Sequence, residues 1–463
     1  MHRLVVISAL ALLSGCTQEG APKIPPADRF YFPTAVHHQD GVGTGGRLFV
    51  ASSNFDGRFD FGSVTAINVD DLALPTFGAP ILPECVAPDP AQPLPATCEP
   101  KVIHALGTAG AQGSRVLTDS FGAGRFGTLA LPGGQTRLFL PTREERDRVH
   151  VLDSDPAAAS RVECVGAAET PEDCTLASGS PSMTYLELQD QGHPRAIQVV
   201  SVAVRQTTGA AYVVHRTPAS SELGVSQDLA SFTAQIDGFN PMEETTSYHP
   251  IGIIPANAIA LGQRYGFIVG FSFDPRLSTP LLRLIDLNDP SRILNANLAL
   301  NVNTLDGRDV AVSSDGTRLY LLSRFPDLLL VLDLIGGTTD SPRVVLVRQV
   351  PLPDDPNQLQ VLPRGGGRGD VVVITCSQAD AVVIYDEDVG ALVGQYSDFG
   401  RQPYGITADL QGAGARLYIS NFADGQLGVL DIPDLNRPED LRKVAVIGLP
   451  QACLMEKTGK ACE

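Results

Sequence analysis

The chain has 463 residues, of which 43% are hydrophobic and 19% are charged, so it can bury a large core and does not have the composition of a disordered acidic tail. Its formal net charge is −18, which is the wrong sign for a surface that binds the phosphates of nucleic acid. We therefore expect no nucleic acid partner. Glycine (45) and proline (35) together make up about one residue in six, which favours short strands and turns over long helices.

The N-terminus has the pattern of a secretory signal peptide. A positive start at residues 1–3 precedes an apolar run over residues 4–13, which is too short to span a bilayer. The run ends in Leu-Ser-Gly-Cys, which resembles the lipobox of bacterial lipoproteins and implies a lipid anchor on Cys16. The residue after this cysteine is Thr17 and not Asp, and this is similar to the pattern of lipoproteins that are sent to the outer membrane. The alternative is an ordinary cleaved signal with a chance cysteine.

Four regions follow from this reading. We predict a lipoprotein signal peptide over residues 1–15, and a lipidated cysteine with a polar, proline-containing tether over residues 16–30. A folded body over residues 31–449 is followed by a C-terminal tail over residues 450–463. The expected location is the cell envelope, at the outer membrane, on its periplasmic face or on the cell surface.

The other seven cysteines predict a local disulfide pattern, because an exported chain meets an oxidising compartment. Three pairs lie close in sequence and each brackets a short segment: Cys85 with Cys98, Cys164 with Cys174, and Cys453 with Cys462. Cys376 remains, within an apolar strand, where we expect a small buried residue rather than a nucleophile. No C-x-x-C pair occurs to suggest a zinc or redox site.

Internal repeats predict the fold. Four copies of an Arg-Leu-aromatic-apolar strand begin at Arg47, Arg137, Arg318 and Arg416, and each is followed by a turn and a second apolar strand. Three of these second strands end in Asp, at Asp153, Asp333 and Asp431, and the first ends in Asn68. Three weaker copies bring the total to seven, and they start at Ala211, Gly266 and Val371. Seven units of four short antiparallel strands describe an all-β propeller, whose radial closure hides sheet edges.

The last unit shows a family resemblance most clearly. Residues 402–431 carry an opening Pro403 and Gly405, the strand that begins at Arg416, a Ser-Asn turn and a closing Asp431. This pattern resembles the YVTN β-propeller repeat. The resemblance implies a protein that serves as a binding platform. Related propellers include lactonases and lyases, which act at the mouth of the central channel, often with a metal held by acidic residues.

The predicted starts of the innermost strands are the residues to compare with that metal pattern. None of them is a carboxylate, so we predict no metal, no cofactor and no catalytic set, although Asp309 and Glu187 lie nearby in sequence. The predicted starts are Thr34, Phe126, Arg195, Ile251, Arg308, Gln358 and Tyr404.

Several basic residues among and beside these starts predict an anion site at one end of the channel. The candidate ligand-binding residues are Arg195, Arg308 and Tyr404, with Arg125 and Arg401 nearby. The alternative is that these arginines pair with the acidic residues of adjacent loops. A further string, Ser52-x-Asn54-x-Asp56-Gly57-x-x-Asp60, has the spacing of a calcium loop but reads more simply as a hairpin turn.

Two functions from different classes are compatible with these observations. The first is a non-catalytic, lipid-anchored binding or scaffold module, whose partners are the membrane, through Cys16, and an envelope protein or small ligand. The second is a propeller enzyme of lactonase-like or lyase-like type, acting at the channel mouth. We favour the first because the sequence presents no catalytic set.

Overall fold

The computed structural model describes most of the folded body and none of the signal peptide. The described residues are 22–41, 45–79, 100–103, 115–120, 125–142, 148–154, 161–165, 173–175, 185–188, 198–218, 229–241, 247–252, 256–270, 282–295, 306–397 and 399–450. Within them, thirty β-strands form seven sheets. No helix in this part of the chain is long and apolar enough to cross a membrane.

The first three sheets follow one another along the chain as blades 1–3. Blade 1 contains β1 (Pro33–Gln39), β2 (Arg47–Ser52), β3 (Gly62–Asn68) and β5 (Arg115–Thr118). Blade 2 contains β6 (Gly127–Ala130), β7 (Thr136–Pro141), β8 (Arg148–Ser154), β9 (Val162–Cys164) and β10 (Tyr185–Glu187), the last two both paired with β8. Blade 3 contains β11 (Gln198–Val204), β12 (Ala210–Pro218), β13 (Leu229–Asp237) and β14 (Ser247–Gly252).

Blades 4–7 are regular antiparallel meanders. Blade 4 contains β15 (Ala256–Leu261), β16 (Tyr265–Gly270), β17 (Leu282–Asp286) and β18 (Asp289–Asn295). Blade 5 contains β19 (Gly307–Val312), β20 (Arg318–Arg324), β21 (Asp327–Ile335) and β22 (Arg343–Pro351). Blade 6 contains β23 (Pro356–Leu362), β24 (Val371–Cys376), β25 (Ala381–Asp386) and β26 (Ala391–Tyr396). Blade 7 contains β27 (Pro403–Gln411), β28 (Gly414–Asn421), β29 (Gln426–Ile432) and β30 (Arg442–Ile447), with β4 (Lys101–Ile103) at its outer edge.

The sheets form a closed seven-bladed β-propeller, which confirms the predicted fold class. The first strands of neighbouring blades pack against one another around a central channel, and β1 packs on β27 to close the ring. Each repeated Arg-Leu-aromatic strand, and each weaker copy, is the second strand of a blade. These second strands read as continuous apolar runs because both of their faces are buried between blades.

One strand assignment was wrong. Ile251 was predicted to start an innermost strand. The structure places it, together with Pro250, in β14, the outermost strand of blade 3, and the innermost strand of blade 4 is β15. A proline followed by small and apolar residues suits either position, since both lie at the border between two consecutive blades.

The hydrophobic core lies between the blades. Seven clusters of buried apolar residues each combine side chains of two neighbouring blades, as in the cluster that joins Phe267 of blade 4 to Leu321 of blade 5. Each sheet is therefore sandwiched between two others, and only the outer strands alternate between exposed and half-buried residues, as β22 does. Burial of this kind is the main stabilising contribution, at about 25 cal/mol per Å² of apolar surface.

The repeated Arg and Asp of the sequence motif meet across neighbouring strands. In blade 7, Arg416 lies opposite Asp431 and donates to both of its carboxylate oxygens, at 2.7 and 2.9 Å. Arg137 and Asp153 repeat this pairing in blade 2 at 2.7 Å for both bonds. The same registers hold for Arg318 and Asp333 in blade 5, and for Arg47 and Asn68 in blade 1. The motif thus encodes a cross-strand pair rather than a ligand site.

Two segments outside the regular meanders fasten blade 1 to blade 7. Strand β4, which follows blade 1's third strand in the sequence, pairs in parallel with β30 and places Ile103 in the core shared by the two blades. Phe30 is fully buried in the same core. The backbone amide of Lys23 also donates to Asp60 of blade 1 at 2.6 Å. The part of the predicted tether from Lys23 to Phe30 therefore packs on the propeller.

The cysteines are described in part. Cys164 and Cys174 form a disulfide, which confirms that pair, and Cys376 is a buried free thiol in β24. Burial raises the pKa of the Cys376 thiol to about 12, with a smaller effect from the carboxylates of Asp327, Asp355 and Asp354. This thiol therefore stays protonated at neutral pH, as its assignment to the core requires. The predicted pairs Cys85–Cys98 and Cys453–Cys462, and the lipidation site Cys16, lie outside the described residues.

Candidate functional site

A cavity of about 310 Å³ occupies the central channel. Its wall is built from the innermost strands of blades 2–6, with Tyr404 contributed by blade 7. Small apolar side chains at equivalent places in three consecutive blades, Ala203, Ala260 and Ala311, line it on one side. Arginine, amide and phenol side chains line it where the strands begin. The cavity thus has a polar mouth and an apolar wall, which suits a small organic ligand.

A β-bulge places the polar side chains at this mouth. Six of the seven innermost strands carry one extra residue at their start, which shifts their pairing with the second strand. The extra residues are Thr34, Val200, Asn257, Arg308, Asn357 and Tyr404, the last with Gly405. A bulge turns its side chain away from the regular sheet face and is common beside binding sites. In blades 4–7 the bulged residues are Asn, Arg, Asn and Tyr, which form the polar rim.

Arg308 is the basic group of this rim. Its Nη2 donates to Asn357 Oδ1 at 3.3 Å, and among the residues that the structure describes no carboxylate lies within ion-pair distance. Asn357 in turn is held by Ser377. Asn257 donates to Asp306 Oδ1 at 2.9 Å and to the carbonyl of Gly307 at 2.8 Å. The amides are therefore fixed by their own partners, while the guanidinium keeps donors available to the cavity.

Arg125 also lines the cavity, but it has a carboxylate partner. Its Nη2 donates to Asp309 Oδ2 and to the carbonyl oxygen of Leu359. Asp309 Oδ2 accepts a further bond from the Leu359 amide at 2.9 Å, and Oδ1 accepts one from Val310 at 2.9 Å. Burial raises the pKa of the Asp309 carboxyl, and Arg125 and the two amides act in the opposite direction. Arg125 is therefore paired with a nearby acid.

The remaining predicted residues are separated by the structure. Tyr404 and Arg308 both line the cavity. Arg401 lies in the turn before β27 and donates to Asp424 Oδ1 at 2.6 Å. Glu187 is on β10, an outer strand of blade 2, and Arg195 lies outside the described residues. Gln358, the residue predicted to start the innermost strand of blade 6, lies one position after the bulged residue Asn357.

The calcium-like string forms a turn whose polar groups are already engaged. Asn54 Nδ2 donates to the carbonyl of Phe59 at 2.7 Å, and Asn54 Oδ1 accepts from the Phe59 amide at 3.0 Å. Asp56 accepts from the amide of Arg58, and Asp60 from that of Lys23. These oxygens face different backbone groups instead of a common centre. The turn interpretation is the one that the structure supports.

A separate polar cluster lies toward the opposite end of the innermost strands. His38 Nδ1 is 3.3 Å from Asp40 Oδ1, and His38 Nε2 is 4.0 Å from Asp409 Oδ2. His38 Nε2 is also 3.0 Å from the carbonyl oxygen of Gly45. These three side chains are close enough to share a cation, although both ring nitrogens already face acceptors at hydrogen-bond or ion-pair distance. The sequence reasoning did not bring them together, since Asp409 is remote from His38 in the chain.

The geometry defines the chain as a seven-bladed β-propeller with a polar channel mouth, and comparisons with known proteins agree on the fold. No protein-family model matches the sequence, and no curated protein matches it either. The structure resembles hydrazine synthase from Kuenenia stuttgartiensis, with a TM-score of 0.52 at 11% identity, over 90% of this chain and 98% of that chain. It also matches the periplasmic gluconolactonase of Pseudomonas aeruginosa, with a TM-score of 0.40 at 15% identity, over 90% of this chain and 86% of that one. At these identities the likeness concerns the fold alone.

Proposed function

We propose that this chain is a lipid-anchored propeller of the cell envelope that binds a small anionic ligand, without catalysis, at the mouth of its central channel. The observation that carries the proposal is Arg308, which faces the cavity from a β-bulge and has an amide, Asn357, as its partner among the described residues. A guanidinium with free donors in a recessed site favours a carboxylate or a phosphate group.

The acid next to this arginine is a partner of Arg125. Asp309 is buried, with a side chain 6% exposed, and its carboxylate accepts bonds from Arg125, Leu359 and Val310. Asp309 therefore neutralises the charge of Arg125. Among the described residues of the channel mouth, Arg308 keeps its positive charge without a carboxylate partner.

The predicted lipoprotein signal supplies the proposed location. A lipid on Cys16 would hold the propeller at a membrane surface, and Thr17 favours the outer membrane. The packed residues from Lys23 to Phe30 then leave a short linker between the lipid and the body. Such a chain would present its channel close to the envelope, where small anionic compounds pass.

The test is calorimetric titration of the detergent-solubilised lipoprotein with citrate and with inorganic phosphate at neutral pH. We expect saturable binding of at least one anion, and we expect Arg308→Gln to weaken it about ten- to a hundredfold, because a charge-assisted hydrogen bond is lost. The matched control is Arg343→Gln, which removes the same charge from an exposed position on β22 and should leave the affinity unchanged.

Two results would contradict the proposal. One is that neither anion binds to the native protein. The other is that Arg308→Gln and Arg343→Gln have equal affinities. Turnover of a lactone by the native protein, lost in Arg308→Gln, would instead favour the enzymatic alternative and would overturn the non-catalytic assignment.

A further inference from the structure

We infer that the ligand of the channel mouth is an aromatic carboxylate, an assignment that rests on the proposed function above and names its ligand class. Four aromatic rings continue from the cavity wall to the protein surface. They are Tyr404, Phe422, Phe32 and Phe55, which we call the aromatic row.

The aromatic row joins the last blade to the first. Tyr404 lines the cavity, and its ring centre is 5.9 Å from that of Phe422. Phe422 lies 5.0 Å from Phe32 and 5.4 Å from Phe55. These tilted and edge-on arrangements have the spacing at which aromatic rings attract one another. A ligand ring placed beside Tyr404 would extend a row that already exists.

Phe55 is the exposed end of the row. Its side chain is 69% exposed, the highest value among the large apolar residues that the structure describes. The turn that carries it is fixed by the two bonds between Asn54 and Phe59, and Asn54 adopts a positive φ of 53°. A left-handed residue and a closed side-chain ring leave this turn little freedom. The turn therefore holds the Phe55 ring exposed to solvent.

Charge and shape together select the ligand. Arg308 and Tyr404 line one cavity of about 310 Å³, so a single small molecule can place an anionic group at the guanidinium and a ring beside the phenol. A carboxylate fits the guanidinium through two parallel hydrogen bonds. A flat ring fits beside Tyr404 by stacking or edge contact, and such pairs contribute beyond simple area burial. An aliphatic or sugar acid would satisfy the arginine but gain less from the rings.

The test compares four probes by calorimetric titration of the detergent-solubilised protein: 2-naphthoate, acetate, glucuronate and the neutral 2-naphthamide. We expect 2-naphthoate to bind at least tenfold more tightly than each of the others. Tyr404→Ala should weaken 2-naphthoate about three- to tenfold and weaken acetate less, because only the naphthyl ring can pack beside the phenol. Tyr404→Phe keeps a ring and should retain the affinity. Phe239→Ala is the matched control, since Phe239 is an exposed phenylalanine, 43% accessible, on a different blade.

The outcomes separate the two proposals. If Arg308→Gln weakens the carboxylates but Tyr404→Ala leaves 2-naphthoate unchanged, or if glucuronate binds more tightly than 2-naphthoate, the aromatic assignment is wrong and the anion site stands. If Arg308→Gln leaves every carboxylate unchanged, the proposed function itself is wrong. An equal loss in Tyr404→Ala and Phe239→Ala would indicate non-specific apolar binding and would also overturn the aromatic assignment.

Discussion

Arginines of this chain have two different roles, which their neighbours define. Arg416 lies in a second strand with a buried carboxylate directly opposite, so its charge is cancelled inside its own blade. Arg308 lies at a bulge beside an amide and faces the channel. The residue type is the same in both cases. The register of the strand determines whether the guanidinium serves the fold or remains available to a ligand.

Loss of one partner of a buried pair should be costly at Arg416. The side chain of Asp431 is fully buried, so Arg416→Ala would leave its carboxylate without its charge partner. We expect the free energy of unfolding to fall by about 3–5 kcal/mol. Arg437→Ala is the control, because that side chain is 66% exposed and pairs with Asp440 at the surface, where the loss should be at most about 1 kcal/mol. Urea denaturation of both variants measures the difference, and equal midpoints would contradict the argument.

At the scale of elements, the starts of the innermost strands carry the site and a short added strand closes the ring. The same bulge recurs in six blades, and only its side chain changes from one blade to the next. The same backbone bulge therefore carries different side chains in different blades, and these side chains form the rim of the channel mouth. Strand β4 comes from the long connection within blade 1, and it covers the outer edge of blade 7.

The contribution of β4 can be measured on two adjacent residues. Ile103 is 9% exposed and belongs to the core between blades 1 and 7, whereas Val102 is 55% exposed. Ile103→Ala should lower the free energy of unfolding by about 2–4 kcal/mol, since it removes buried methyl groups. Val102→Ala, on the same strand, should change it by less than about 0.5 kcal/mol. If thermal denaturation gave the same shift for both, β4 would not be part of the closure.

In the whole ring, the antiparallel strands of blade 1 come from the N-terminal part of the chain and those of blade 7 from the C-terminal part. Strand β4 crosses from the connection within blade 1 to the edge of blade 7, and it reinforces the contact between β1 and β27. Phe30 and Ile103 supply this reinforcement within the shared core. The chain that leaves blade 1 toward the N-terminus is fastened at the same seam through Phe30.

Membrane attachment is the prediction that belongs to the whole molecule. If Cys16 carries the lipid, Cys16→Ser should move the protein from the membrane fraction to the soluble fraction, because the acyl chains are the proposed anchor. Thr17→Asp is the matched variant: it should remain in the membrane fraction but shift toward the inner membrane. Immunoblots of separated membranes record both results. Retention of Cys16→Ser in the membrane fraction would refute the anchor.

The sequence by itself determined the number of blades, the identity of the second and third strands and the disulfide between Cys164 and Cys174. These features are local: apolar periodicity, turn residues and short cysteine spacing are readable within each unit. The recurring Arg and Asp were visible as well, although their pairing across strands became clear only from the register.

Only the tertiary structure decided which residues share the channel mouth. Arg125 and Asp309 are far apart in the chain and meet in the ring, so their mutual neutralisation leaves no local pattern. Asn257 went unnoticed because the border between blades 3 and 4 was misplaced at Ile251, and the bulges have no sequence signal of their own. The aromatic row likewise joins turns of the first and last blades. Contacts that arise from closing a ring depend on distances in space, and the order of residues along the chain does not record them.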